Sequence, residues 1–249
     1  MLNFQKIVRF MKHLVIGLGQ IGSAIREILG PNSSDGLDIE EPLLGQYDVI
    51  HVCIPYSKNF IEIVSNYQKM FEPSITIVHS TVEVGTCEKL GAVHSPVRGI
   101  HPHLVEGILT FVKFFGGEKA EEAAKIFEDL GVETIVTRSS RDTEAMKLWD
   151  TTIYGWNIVL EKIIHKYCEE NGLDFDIVYT QANRTYNLGY QELDRPEYAK
   201  YVLKHVPGPV GGHCVIPNLE MLGGPVAEFI KNYNRELLEK EVSKKTESV

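Results

Sequence analysis

Short apolar runs alternate with amphipathic stretches in the first half of the chain, and long helical patterns fill the second. His13 to Gly17 is apolar and ends in glycine, and a helical pattern follows from about Gln20 to Leu29. Gly30 and Pro31 stop it, as residues that end helices do. Val49 to Ile54 predicts a strand, Asn59 to Phe71 a helix, Ser74 to His79 a strand and Ser80 to Thr86 the loop beyond it. Gly91 to His94 reads as a short strand and Ser95 to His103 as a turn-rich loop. Lys113–Gly117, the helix Glu118–Leu130 and the strand Glu133–Thr137 complete the alternation, which predicts a doubly wound parallel sheet. From Ser140 the period changes. Arg141 to Cys168 carries Met146, Trp149, Ile153, Trp156, Val159, Leu160, Ile163 and Ile164 at helical spacing, with Asn171 and Gly172 as its stop. Further helices are expected over Asp174–Asn187, Pro196–Lys204 and Gly224 to about Val242, ahead of a charged tail. The expected boundary lies near residue 139, between an α/β domain (11–139) and an all-helical segment (140–249).

Composition narrows the function classes. The 249 residues are 43% hydrophobic and 24% charged, the balance of a globular protein with a full core. A formal net charge of −9 argues against a broad surface for nucleic acid or for an anionic membrane. No apolar run approaches the roughly 20 residues of a membrane span. Residues 1–10 have no leader-type apolar core, and with Met11 just before the first strand they read as a start-site extension. Cys53, Cys87, Cys168 and Cys214 are widely spaced, without a CxxC pair, and read as reduced thiols of a cytoplasmic protein. His94, His101 and His103, with Arg98 among them, have the spacing of no common metal site, so no metal is expected.

Two glycine-rich stretches carry candidate chemistry. Gly17-Leu18-Gly19-Gln20-Ile21-Gly22 is GxGxxG between a strand and a helix, the context that dinucleotide binding requires. The first glycine permits a tight turn, the second admits a pyrophosphate and the third lets helix pack on strand, while the helix N-terminus offers N–H groups to phosphate. Asp38, 21 residues after Gly17, is the expected acidic partner of the ribose hydroxyls, and no Arg follows to take a 2′-phosphate, which favours NAD. Only nine residues separate Asp38 from Asp48, so the adenosine side of this Rossmann-like domain is trimmed. Pro55, Tyr56 and Thr81 follow strands at the carboxyl edge, where cofactor and substrate lie in such sheets. The second stretch is Pro207-Gly208-Pro209-Val210-Gly211-Gly212-His213-Cys214, a shaped loop that ends in a thiol. On the long helix, Lys147 and Thr151 share one face, one turn apart.

Taken in order, the glycines 17, 19 and 22, Asp38, the Ser80-Thr81-Val82 loop, Glu144-Ala145-Met146-Lys147-Leu148 and Gly211-Gly212-His213-Cys214 resemble the UDP-glucose/GDP-mannose dehydrogenase family. The His-Cys form is most similar to the UDP-N-acetylmannosamine branch, over roughly residues 12–220. The resemblance implies NAD, a nucleotide-sugar substrate and a homodimer built on the long helix. It implies a sugar alcohol oxidised twice, through an aldehyde held as a thiohemiacetal on Cys214. Lys147 would then stabilise the oxyanion, and Thr81 would position water or cofactor. Three motif positions depart from the family pattern. Thr151 stands where the family has Asn, and Asn218, which cannot act as a base, where it has Asp. Val97 follows Ser95 and Pro96 where a catalytic glutamate is expected, with Glu106 near Pro102 at a shifted register. After Cys214 only 35 residues remain, too few for the family's third, UDP-binding domain. A single-step hydride enzyme similar to β-hydroxyacid or 6-phosphogluconate dehydrogenases is an alternative expectation, and a catalytically inactive dinucleotide-binding or assembly protein is another.

Overall fold

The computed structural model describes residues 11–38, 45–99, 102–211 and 214–247. The start-site extension 1–10, Glu40, His101, Gly212 and His213 lie outside the described residues. The chain divides into two compact units, residues 1–147 and 148–249.

Among the described residues, the first unit carries a seven-stranded sheet. Its strands are β1 (His13–Ile16), β2 (Ser34–Leu37), β3 (Val49–Val52), β4 (Ile75–Val78), β5 (Val93–His94), β6 (Lys113–Gly116) and β7 (Thr134–Thr137). Their order is β2-β1-β3-β4-β5-β6-β7, and every neighbouring pair is parallel except β5 with β6. The helices are α1 (Gln20–Leu29), α2 (Phe60–Phe71), α3 (Thr86–Leu90), α4 (Leu104–Thr110) and α5 (Ala120–Glu128). Strands β1, β3 and β4 are buried along their whole length, because helices cover both faces of a parallel sheet. One face packs Val15, Val49, Ile77, Val93 and Phe115 against Ile25 of α1 and Phe127 of α5. The other packs Val52 and Val78 against Phe60 and Val64 of α2.

The trimmed adenosine side takes a specific form. Among the described residues, β2 is the one strand flanking β1 on that side, and β3 is the next strand in chain order. Strand β2 is Ser-Asp-Gly-Leu, a composition poor in strand formers. Pairing with β1 along its full length forms it, against local preference. Helix α4 begins just beyond the turn-rich loop expected over Ser95–His103, in a stretch that carries no expected element.

In the second unit, helix α6 (Ser140–Asn171, which begins in the first unit) is followed by a π-helical stretch (Asp176–Gln181) and α7 (Ala182–Glu192). Helices α8 (Val215–Leu222) and α9 (Gly224–Glu247) complete it. The expected helix over Pro196–Lys204 is a 3₁₀ turn at Pro196–Tyr198 followed by irregular chain. Side chains there replace helical backbone bonds. The Asn187 amide accepts from the Lys200 N–H and donates to the Lys200 carbonyl, and Tyr179 Oη accepts from the Leu203 N–H at 3.1 Å. A small core of Val159, Val210, Val215, Leu219, Ala227 and Ile230 holds α6, α8, α9 and the loop before α8 together. Among the described residues, no helix is long and apolar enough to cross a membrane.

Candidate active site

The carboxyl ends of adjacent strands set one level across the first unit. Gly17 N–H donates to the Leu37 carbonyl at 2.9 Å, Cys53 N–H to Ile16, His79 N–H to Val52 and Ser95 N–H to Val78. Asp38, exposed, therefore leaves β2 beside Gly17 as it leaves β1. Pro55 and Tyr56 follow β3, and Thr81 follows β4.

The three motif glycines differ in what requires them. Gly17 turns with φ of 87°, and a Cβ there would lie 2.9 Å from Ile54 Cγ2. At Gly22 a Cβ would lie 1.8 Å from the Gly17 carbonyl oxygen, so the helix packs on the strand only through a glycine. Gly19 has an ordinary φ of −65°, and a Cβ there would meet nothing within 4 Å. Nothing in the described chain requires a glycine at 19. The open space before it is what a pyrophosphate would need. Gly19 caps α1, whose first turn has no acidic residue to compete for its N–H groups. Leu18 rests on Gly36 of β2, while Gln20 and Ile21 open the helix. These residues fit a dinucleotide.

The loop after β4 is held from α6 in a way that sequence reasoning missed. Glu144 is fully buried, and its two carboxylate oxygens accept the Gly85 N–H at 2.6 Å and the Cys87 N–H at 2.7 Å. Burial raises its pKa, against the pull of those two bonds. His94 Nε2 donates to the Ser80 carbonyl at 3.1 Å, and its Nδ1 accepts from the Thr143 hydroxyl at 2.9 Å. Burial pushes the His94 pKa down to about 3, so the ring is neutral. Thr81, half-buried, thus sits on a loop pinned at residues 80, 85 and 87. The only sequence signal was an acid one turn before Lys147 on the long helix.

Lys147, at the end of the first unit, donates to the Val97 carbonyl at 2.9 Å. The backbone of residue 97 therefore engages the lysine at the position where the family pattern has a glutamate. Glu106 is in the first turn of α4, highly exposed, 4.0 Å from the exposed His103.

The remaining candidates belong to the second unit. Asn218, buried on α8, donates its amide to Thr151 Oγ1 at 2.9 Å, and Thr151 donates to the Leu148 carbonyl at 3.0 Å. Two of the three positions that depart from the family pattern are thus partners of each other. Cys214 caps α8 and is exposed, whereas Cys53, Cys87 and Cys168 are buried. Burial raises Cys53 to about 12 and places Cys87 well above its ordinary value, which leaves both unreactive.

No family model matches the chain. A curated relative, UDP-N-acetyl-D-mannosamine dehydrogenase of Methanococcus maripaludis, is 23% identical over 189 residues. That match takes in 71% of this chain but 41% of the relative, so the chain spans well under half the relative's length. Among solved structures, a UDP-D-ManNAc dehydrogenase from Pyrococcus horikoshii superposes with a TM-score of 0.71 at 16% identity, over 91% of this chain and 69% of that one. A 3-hydroxyisobutyrate dehydrogenase from Mycobacterium tuberculosis superposes with a TM-score of 0.64 at 15% identity, over 91% and 93%. At these identities the superpositions speak for the fold alone. In sequence motifs and in fold, the chain is similar to the UDP-glucose/GDP-mannose dehydrogenases, over part of those enzymes' length.

Proposed function

We propose that this chain is an NAD-dependent oxidoreductase of the nucleotide-sugar dehydrogenase type, acting on a sugar alcohol or its aldehyde. The observation that carries the reading is the open space at Gly19, at the N-terminus of α1, with Asp38 leaving the neighbouring strand. Bound there, NAD would accept a hydride from the substrate carbon. Gly17 to Gly22 would hold its phosphates, Asp38 its ribose, and Pro55, Tyr56 and Thr81 would flank its nicotinamide end.

The chain's own groups supply the rest. The Cys214 thiolate adds to the carbonyl carbon of an aldehyde and forms a C–S bond as the C=O π pair moves to oxygen. The resemblance gives Lys147, in the first unit, the role of oxyanion stabiliser. Asn218 and Thr151 act as a neutral hydrogen-bonded pair and leave the site without a carboxylate base at 218. Exposed Trp149, Ile153, Tyr154, Trp156 and Leu160 on α6 support a homodimer through that helix.

The test is NADH formation with nucleotide-sugar alcohols for the protein and for Cys214→Ala. Loss of the second oxidation in the variant, with aldehyde accumulating, supports the thiohemiacetal. A single-step enzyme of the β-hydroxyacid type is the second reading, favoured by the match to 93% of the 3-hydroxyisobutyrate dehydrogenase. It predicts that Cys214→Ala turns over normally with a small hydroxyacid.

A further inference from the structure

A diagonal row of histidines crosses the sheet of the first unit, buried between the strands and α5. His13 opens β1, His51 lies in the middle of β3, and His79 follows β4. Each step moves one strand over and two residues up. A single line of side chains therefore runs from the amino edge of the sheet to its carboxyl edge. His13 Nδ1 lies 3.0 Å from His51 Nε2, and His51 Nδ1 lies 3.0 Å from His79 Nε2. At the carboxyl edge, His79 Nδ1 has two neighbours, the Ser95 carbonyl at 2.8 Å and Lys113 Nζ at 3.4 Å. Lys113 Nζ also reaches the Ser95 carbonyl at 3.0 Å and the Pro96 carbonyl at 3.4 Å. His51 and His79 are 0% and 1% exposed, Lys113 is 4%, and His13 at the outer end is 6%. The ring of Phe127 packs edge-on against both inner histidines.

We propose that this row is a proton wire joining solvent at the amino edge of the sheet, through His13, His51 and His79, to the Lys113 amine at the carboxyl edge.

The two neighbours of His79 Nδ1 define its two states. When Lys113 is a neutral amine, His79 Nδ1–H donates to the Ser95 carbonyl. His79 Nε2 then accepts from His51 Nδ1–H, and His51 Nε2 accepts from His13 Nδ1–H. A proton that arrives at His13 Nε2 displaces the Nδ1 proton of His13 onto His51 Nε2. His51 passes its Nδ1 proton to His79 Nε2, and His79 passes its Nδ1 proton to the lone pair of Lys113. The end state is a Lys113 ammonium with three acceptors, the Ser95 and Pro96 carbonyls and His79 Nδ1, and every ring now carries its proton on Nε2. Each imidazole gains one proton and loses one, and none remains charged. Release runs the same steps backward, which restores the first state.

The surroundings keep both states within reach. Burial is the main cause that brings the Lys113 pKa down to about 7, with Lys147 adding to the shift and Cys53 opposing it. His51 and His79 lie well below the ordinary histidine value through burial, so neither competes for the charge. His94 also faces Lys113 and is neutral. The rings of Phe115 and Phe127, 5.6 and 5.2 Å from the Lys113 nitrogen, favour the ammonium form. At the outlet Asp48 faces His13, and its carboxylate accepts the Lys12 N–H at 2.9 Å. The Ser95–Val97 loop is the shared link to the candidate site, because Lys113 binds its first two carbonyls and Lys147 its third. The wire itself does not depend on the dehydrogenase reading.

The test is long-range ¹H–¹⁵N NMR of the full protein labelled at histidine, across about one pH unit either side of the Lys113 value. All three rings should carry the proton on Nδ1 on the alkaline side and on Nε2 on the acid side, switching together with one midpoint. In Lys113→Met the switch should vanish over the same range. Rings of unlike tautomer, a row that does not change, an imidazolium at His51 or His79, or a switch that survives Lys113→Met would each overturn the wire. The wild-type spectra decide the matter even where the variant does not fold.

Discussion

Gly19→Ala separates a ligand-binding glycine from a structural one. A methyl at 19 meets nothing within 4 Å, and φ of −65° suits alanine. Two small effects on folding oppose each other. Alanine narrows the unfolded ensemble, worth about 0.4–1 kcal/mol, and is a poorer N-cap than glycine by a similar amount. The melting temperature should therefore stay within a few degrees of the parent, a shift of about 1 kcal/mol or less. Cofactor binding should respond differently, because the methyl occupies the space that a pyrophosphate would enter. Loss of that approach should weaken NADH binding at least tenfold, about 1.4 kcal/mol. Gly22→Ala is the control. Its methyl would lie 1.8 Å from the Gly17 carbonyl oxygen, so strand and helix must separate. It should lose more than about 3 kcal/mol of stability, beyond the usual range for overpacking, because backbone has to move. Thermal melts with and without NADH, together with calorimetric titration, read both quantities. An unaltered NADH affinity in a well-folded Gly19→Ala protein would refute the placement of the phosphates.

Other outcomes follow from the same geometry. Lys147→Met should lower turnover about 10²–10³-fold, the scale of one lost oxyanion donor, with folding intact by circular dichroism. Fast alkylation of Cys214 alone is expected from its exposure, with Cys53, Cys87 and Cys168 labelling only on denaturation, as read by mass spectrometry. Glu144→Gln keeps one acceptor for two N–H donors and turns an amide N–H toward the other, so chemical denaturation should show a loss of about 1–3 kcal/mol. Lys113 has its pKa lowered in the folded state, so between about 7 and 10.5 the unfolded chain binds more protons and stability rises with pH. Lys113→Met should flatten that rise in melts recorded across the window.

The parts legible in the sequence are those written in short-range patterns. The GxGxxG stretch between an apolar run and a helical one declared the first βαβ turn, and Gly17 and Gly22 are glycines for the steric reasons that the motif implies. Long-range pairing hid the rest. Ser34–Leu37 has no strand composition, and only its register with β1 makes it one. The expected helix after Pro196 yields to the side chains of Asn187 and Tyr179, which no local pattern reports. Glu144 read as one acid in a motif, and its partners lie at Gly85 and Cys87, far back in the chain. The histidine row is the clearest case. His13, His51 and His79 are isolated letters in or just after three strands until register places them on one diagonal.

The dehydrogenase reading requires that the carboxyl edge of the first unit bind a nicotinamide dinucleotide. Calorimetric titration of the wild-type protein with NAD⁺ and NADH tests it most directly. One dinucleotide per chain should bind saturably, with a dissociation constant below the millimolar range and a loss of affinity in Gly19→Ala. No binding of either form at millimolar concentration would contradict it.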